Sequence, residues 1–427
     1  MPKRVLRLLF IPRESFPTDR VRINVLFGRE LVSRGHEIDL VMQAADESVD
    51  AGPRRWQGCT VRVGRTDAGF GMLHRLRKVW LDVAHDLRCL RRARRTDYDA
   101  VLVSDKFLIG AVAAVIARMR GIRFMFWLTF PYPEADIDRV RTRIARFGRL
   151  TSIRGAATRW LLHRWIVPRS DHVFVQSERM KSGLCALGAP PEKVSPILTG
   201  FDPGEIRLAA PESRRAEPRF VTLGYLGTLN AMRRLEVLVE MLAMLRDGGL
   251  PARLLLVGRV PNPGDRGIIE RRAAELAVTD HVEITGHLPQ AEALRRVSEA
   301  QVCLSPIYRS PLLDVGSPTK MIEYLALGIP VVANDHPEQR LILRESRAGV
   351  CVPWGARHFA RGVRWLMAKR PEERDEMGRR GRSWVERNRT YAQIADDVER
   401  TCLEVVGRPR YSAAAGPGEI SVRGGEG

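Results

Sequence analysis

Apolar runs of strand length alternate with amphipathic stretches along the whole chain. Val5 to Ile11 predicts a buried strand, and a 3.6-residue pattern through Leu26, Leu31 and Val32 predicts a helix that stops at Gly35. His36 to Met42 reads as the next strand. AVLVSDKF near Val101 and FMFWLTF near Phe124 are apolar runs separated by a helical Leu108 to Arg120. DHVFVQS from Asp171 is a further strand, and the helix after it is interrupted at Gly188-Ala189-Pro190-Pro191. Strands and helices spaced in this way predict right-handed crossovers and a parallel sheet.

Between Pro203 and Pro218 the periodicity fails and Pro, Glu and Arg gather, which marks a domain boundary. A second alternating series follows, with strands RFVTLGYLG, RLLLVG, HVEITG, QVCLSPI, PVVAND and GVCVP. Helical stretches near Glu372 to Arg387 and Gln393 to Val406 close it. The expected organisation is an N-terminal domain over 1–204, a C-terminal domain over 205–387, a helix over 388–407 returning to the first domain, and a disordered tail over 408–427. The fold class is α/β, with two Rossmann-like, doubly wound domains facing a cleft. In such sheets ligands sit beyond the carboxyl ends of the strands.

Composition narrows the function. Of 427 residues 44% are hydrophobic and 28% charged, which excludes disordered, collagen-like and disulfide-framework proteins. The cysteines form no Cys-x-x-Cys pair and the histidines no close cluster, so a reduced, cytosolic protein without a structural metal is expected. The N-terminal apolar stretch is broken by Arg7, and no run of about 18 uncharged apolar residues exists to cross a bilayer. The net charge is +20. From Met72 to Arg169 there are 21 basic and 8 acidic residues, and Arg139 to Arg169 holds nine arginines and no acid. Such a segment fits a polyanionic partner: nucleic acid, anionic lipid or a diphosphate.

The chain lacks a Gly-Lys-Ser/Thr phosphate loop, a Gly-x-Gly-x-x-Gly fingerprint and a Gly-x-Ser-x-Gly elbow. The segment DVGSPTKMIEYLALGIPVVAND, Asp314 to Asp335, places Ser317 as an N-cap, Pro318 in the first turn and Gly328 at the end of a helix of about eleven residues. Its N-terminus, with the amides of Thr319 and Lys320 and the lysine charge, suits a diphosphate, and Glu323 lies one turn on. A capped helix with a surface Lys–Glu pair is the competing reading. In GYLGTLNAMRRLEVLVEML, glycines end a strand and Arg233 and Arg234 open the next helix, where bidentate phosphate contacts are available.

Together GYLGTLNAMRR, RLLLVGR, VEITGHLP, SPTKMIEYLALGIPVVAND and DHVFVQSERMKSGLCALGAPPEKVSPILTGFDP resemble the family 4 glycosyltransferases with the GT-B fold, over about 400 residues. The resemblance implies a retaining transferase that takes a nucleotide-diphosphate sugar, acts on a glycan, lipid-linked or other hydroxyl acceptor, as in polysaccharide biosynthesis, and needs no cofactor or metal. It assigns Arg233, Lys320 and Glu323 to catalysis. Gly227, Thr228, Ser317, Thr319, His287 and Arg259 are assigned to the donor. Thr228 stands where the family carries an arginine, and a first glutamate would fall at Val315, beside Asp314. In the first domain RESFPTDRVR lacks the family's glycine loop, Thr129 stands near the place of an acceptor-side histidine, and Glu134 and Asp136 follow on the acceptor side. The pairs Asp136-Ile-Asp138 and Asp97-Tyr-Asp99 match a metal signature too short to carry weight.

The segment Arg159 to Ile166 places Trp160 and Trp165 beside arginines, a face suited to an anionic membrane surface on the inner side of the plasma membrane. Nucleic acid is disfavoured, because the aromatics do not interleave as base-stacking platforms. Two other functions fit the same architecture: a sugar-nucleotide epimerase or hydrolase, and a degenerate, non-catalytic binding module.

Overall fold

A computed structural model describes residues 4–18, 20–141, 148–206 and 219–409. The first domain is built on nine strands: β1 (Arg7–Ile11), β2 (Ser15–Phe16), β3 (Glu37–Ala44), β4 (Gly52–Trp56), β5 (Cys59–Gly64), β6 (Ala100–Ser104), β7 (Arg123–Leu128), β8 (His172–Val175) and β9 (Val194–Pro196). Their order is β4-β5-β3-β1-β6-β7-β8-β9, with β2 against β3, and only the β4–β5 pair is antiparallel. That pair is a hairpin whose two turn residues, Gln57 and Gly58, both have positive φ, the backbone of a tight two-residue turn. The sequence reading passed over this hairpin and over the long helix Met72–Arg92 that follows it.

The central strands are buried on both faces, which is why they read as unbroken apolar runs. On one face Phe10, Phe27 and Trp127 meet the C-terminal helix Tyr391–Gly407 through Ile394, Val398 and Cys402. That helix starts at a capping box of Thr390 and Gln393, and Arg34 ties it down through Glu399 at 3.0 Å. On the other face the helices Met72–Arg92 and Phe107–Arg120, with the helical stretch Leu161 to Val167, cover Leu9, Val103 and Phe126.

The second domain has six parallel strands, β10 (Val221–Leu226), β11 (Ala252–Val257), β12 (Val282–Gly286), β13 (Val302–Ser305), β14 (Val331–Asn334) and β15 (Gly349–Val352), in the order β12-β11-β10-β13-β14-β15. This is the doubly wound order, and the chain direction across the sheet reverses between β10 and β13. The loops leaving those two strands diverge and open a crevice. Across it the first domain comes close: Ser177 Oγ donates to the Val315 carbonyl at 2.6 Å, and the hydroxyls of Thr199 and Thr319 lie 3.4 Å apart. The carboxyl edges of the two sheets therefore face each other. Most of the linker and nearly all of the tail, 207–218 and 410–427, together with Arg143 and Arg146 of the arginine-rich stretch, fall outside the described residues.

Candidate functional site

The crevice is built first from the loop after β10. Leu226 donates its amide to the Tyr324 hydroxyl at 2.7 Å, and the Gly227 amide donates to the Val257 carbonyl at 2.8 Å. Gly227 has φ +144°, and a Cβ there would lie 2.0 Å from Lys320 Cε. Lys320 thus lies across bare backbone, its ammonium 5.2 Å from the centre of the Tyr225 ring. Behind it Gly258, φ +148°, is so close that a Cβ would stand 2.1 Å from the Gly227 carbonyl oxygen.

Arg233 closes a single tight turn, Ala231–Arg233, and Arg234 takes the left-handed conformation with its guanidinium 3.9 Å over Tyr308. The following helix starts only at Glu236, so the two arginines precede it rather than open it. The side chains diverge because the turn separates them: Arg234 is spent on Tyr308, whereas Arg233 Nε is buried with no hydrogen-bond partner among the described residues.

From the opposite side comes the helix Thr319–Ala326, eight residues rather than about eleven. Pro318, not Ser317, holds the N-cap position, and the Thr319 amide turns back to the Ser317 carbonyl at 2.9 Å. Ser317 Oγ instead donates to Glu338 at 3.2 Å, which also receives Arg389. The helix starts later than expected, at Thr319, with the side chain expected to cap it engaged by Glu338 instead. Burial and the nearby Arg233 charge push the Lys320 ammonium well below its usual pKa, with Glu323 acting the other way. Burial pushes Glu323 up to about 7, opposed by Lys320.

Thr228 continues the Gly227 loop, and its carbonyl faces the Tyr225 hydroxyl at 3.5 Å. Arg259 and His287 are exposed at the ends of β11 and β12, and no contact joins them to Lys320 or Arg233 among the described residues. Asp314 is held by Arg309 through two bonds of 2.7 and 2.9 Å, and the Val315 carbonyl serves the contact with Ser177. Neither presents a carboxylate to the crevice at the position of the family's first glutamate.

On the first-domain side Thr129 is bound twice to one buried acid, Asp105, through its amide at 3.0 Å and through its hydroxyl. Asp105 ends β6 in a left-handed conformation, φ 55°, and burial pushes it up to about 7 against the Thr129 bonds. Sequence reading missed it, although an acid directly after an apolar strand was the available signal. Asp136 is committed to Arg154 by two bonds of 2.8 Å, and Glu134 stands 3.7 Å from His163 and 3.9 Å from Arg159. Both brace the next helix. Of the short acidic pairs, Asp99 binds Arg7 and Asp138 binds Arg141. Arg22, another residue not singled out, leaves Nη1 buried with no hydrogen-bond partner among the described residues.

Asp105 yields a stability prediction. Its carboxyl titrates higher when folded than when unfolded, so the stability it contributes is complete below the ordinary carboxylate range and is lost as pH rises through about 7. Asp105→Asn should therefore gain several degrees in thermal midpoint over the parent at pH 8 and little at pH 4. Equal midpoints at both pH values would contradict a buried, strained carboxyl.

Comparison with known proteins places this geometry. Residues 22–205 match the family model described as Glycosyltransferase Family 4, and residues 220–369 match Glycosyl transferases group 1. Amylovoran biosynthesis glycosyltransferase AmsK of Erwinia amylovora is 24% identical over 266 residues, covering 59% of this chain and 63% of that protein. The match thus spans less than two thirds of that relative. Among solved structures, sucrose-phosphate synthase from Thermosynechococcus elongatus superposes with a TM-score of 0.71 at 18% identity, covering 93% of this chain and 99% of that one. HepE of Anabaena in complex with UDP superposes with 0.68 at 13% identity, covering 93% and 100%. These likenesses establish the two-domain GT-B architecture.

Proposed function

Since the chain belongs to the family 4 glycosyltransferases with the GT-B fold, we propose that it transfers a sugar from a nucleotide-diphosphate donor to a hydroxyl of a glycan or lipid-linked acceptor, with retention. The observation that carries this reading is Lys320, laid over Gly227 beside Arg233, whose buried Nε has no hydrogen-bond partner among the described residues. Two cations gathered at the point where the strand order reverses lack the anion that would satisfy both. A diphosphate supplies it. As the glycosidic bond to the donor breaks, negative charge grows on the departing diphosphate, and these cations stabilise that charge more than the ground state. Glu323, one turn along the helix from Lys320, is suited to the ribose hydroxyls. UDP bound in HepE supports a nucleotide donor. In this reading no metal is required, because side chains carry the positive charge. Asp105 with Thr129 forms the acceptor side in place of Asp136, which is already engaged.

Titration calorimetry against UDP, ADP and GDP, with a chelator present, tests the donor site. One nucleotide should bind, and Glu323→Ala should weaken it by at least about tenfold. Burial and the nearby Arg233 charge hold Lys320 below its usual pKa in the ligand-free site, and a bound anion raises that pKa, so protons are taken up at any pH where the free-site lysine is partly neutral. The measured heat should then vary with the ionisation enthalpy of the buffer. Absence of binding to any of the three would remove this reading. Conversion of the donor sugar without acceptor would point instead to an epimerase or hydrolase.

A further inference from the structure

The helix Met72–Arg92 is divided in two. Its second half packs on the sheet through Val83, Leu87 and Leu90, whereas every residue from Gly71 to Trp80 is exposed. This half begins beyond the carboxyl edge of β5, on the side of the cleft, and projects for roughly 14 Å. Along it Phe70, Met72, Leu73, Leu76, Val79 and Trp80 are bare; Phe70 is 97% exposed, Leu73 80% and Trp80 67%. Positions 72, 73, 76, 79 and 80 recur at helical spacing and form one apolar stripe. Arg75, Arg77 and Lys78 flank it, while His74 and Arg77 hold the helix start through Asp67 at 2.8 and 3.5 Å.

The neighbouring helix Phe107–Arg120 and the helix Gly148–Leu161 beyond it carry further exposed apolar residues. Leu108 on Phe107–Arg120 and Leu150 and Ile153 on Gly148–Leu161 are exposed near the helix starts, again at the cleft side. At the base of the projecting helix a groove of about 450 Å³ runs from Trp80 past Arg65, Arg88 and Arg92. Those three arginines have no ion pair among the described residues, and Arg88 and Arg92 line the groove on either side of Cys89. The nearby acids do not answer them: Asp82 and Asp86 are both taken by Lys106, at 2.8 and 2.7 Å.

We propose that this face docks on an anionic lipid bilayer, with the Phe70–Trp80 stripe entering the interface and the arginine groove receiving lipid phosphate. An exposed apolar stripe flanked by cations matches a surface that is apolar within and negative outside. A second copy of the chain does not match, because a two-fold pairing would set cation against cation. The face adjoins the cleft mouth, so docking brings bilayer-anchored hydroxyls to the acceptor side. Resting on the transferase reading, this names the acceptor class as a lipid-linked one.

The Arg159–Ile166 segment contributes less than its sequence implied. Leu162 and Ile166 are buried, and Trp165 donates its indole N–H to the Ala111 carbonyl at 3.3 Å. Only Trp160 of this group stands out as an exposed apolar residue.

Flotation of the full chain with phosphatidylcholine vesicles, with and without phosphatidylglycerol, tests the proposal. The parent protein should float only with the anionic vesicles. Leu73→Ser with Leu76→Ser, and separately Arg75→Glu with Lys78→Glu, should each lower recovery about tenfold or more, with unchanged thermal midpoints. Equal recovery for parent and variants, or no flotation on anionic vesicles, overturns it. So does a dimer in light scattering that dissociates in the Leu73→Ser, Leu76→Ser protein. Nucleotide titration of the same variants separates the two readings. Vesicle binding without nucleotide binding keeps the docking face and removes the transferase assignment, while the reverse removes only the docking face.

Discussion

Replacing Lys320 with methionine is expected to lower turnover about a hundredfold to a thousandfold, the usual cost of removing one group that stabilises developing negative charge. Methionine keeps the aliphatic stem that covers Gly227, so the loop retains its packing and only the charge is lost. Stability should move the other way. A lysine whose folded pKa lies below its unfolded value costs the fold most at low pH, and that cost fades only as pH rises through the folded pKa towards the ordinary lysine range. At pH 7 the Lys320→Met protein should therefore unfold at a higher temperature than the parent. Arg233→Ala should share the kinetic loss, roughly tenfold to a thousandfold, because its unpartnered Nε is the other cation at the site. Steady-state kinetics with thermal unfolding on the same samples decides the matter. Parental turnover in a folded Lys320→Met protein would end the assignment, and an activity loss accompanied by a lower midpoint would mark the lysine as structural.

Gly258→Ala should be among the most damaging single substitutions in the second domain. Its Cβ would stand 2.1 Å from the backbone oxygen of Gly227, an atom that cannot swing away, and its φ of +148° is unfavourable for a side chain. A loss of about 3 kcal/mol or more is expected, a fall in midpoint of roughly 10 °C. Gly227→Ala offers a contrast. There the obstacle is Lys320 Cε, near the far end of a flexible side chain, so the fold gives way less while the lysine is pushed from its place. Turnover should fall towards that of Lys320→Met with a smaller change in midpoint. If Gly258→Ala melts like the parent, the close stacking of the two loops is not what holds the crevice.

Most strands were legible because parallel strands covered on both faces must be apolar at every position, and runs such as those of β6, β7 and β14 leave little else to choose. The hairpin Gly52–Gly64 was not, since its alternating pattern is interrupted by Pro53 and two arginines. In the crevice, helix signals and family resemblance pointed to Lys320 and Glu323, and the structure lays Lys320 over Gly227. Ser317 could not be placed, because its partner Glu338 comes from the helix after the next strand. Asp105 and Arg22 escaped notice for a related reason: being buried without full compensation is a property of the assembled cleft.

The amino-acid sequence by itself determined the alternation of strands and helices that makes two parallel-sheet domains, and the lack of any apolar run of membrane-spanning length. These follow from periodicity, turn chemistry and composition, which act over a few residues at a time. Only the tertiary structure decided which charged groups are already engaged and which apolar residues are left in water. Asp136 and Asp314 looked available and are clamped by arginines, whereas Arg233, expected to meet a phosphate, keeps its Nε buried with no hydrogen-bond partner among the described residues. The stripe from Phe70 to Trp80 has the same spacing as a helix face turned to a core. It is exposed because the helix outruns the sheet beneath it, and no local pattern records where a sheet ends.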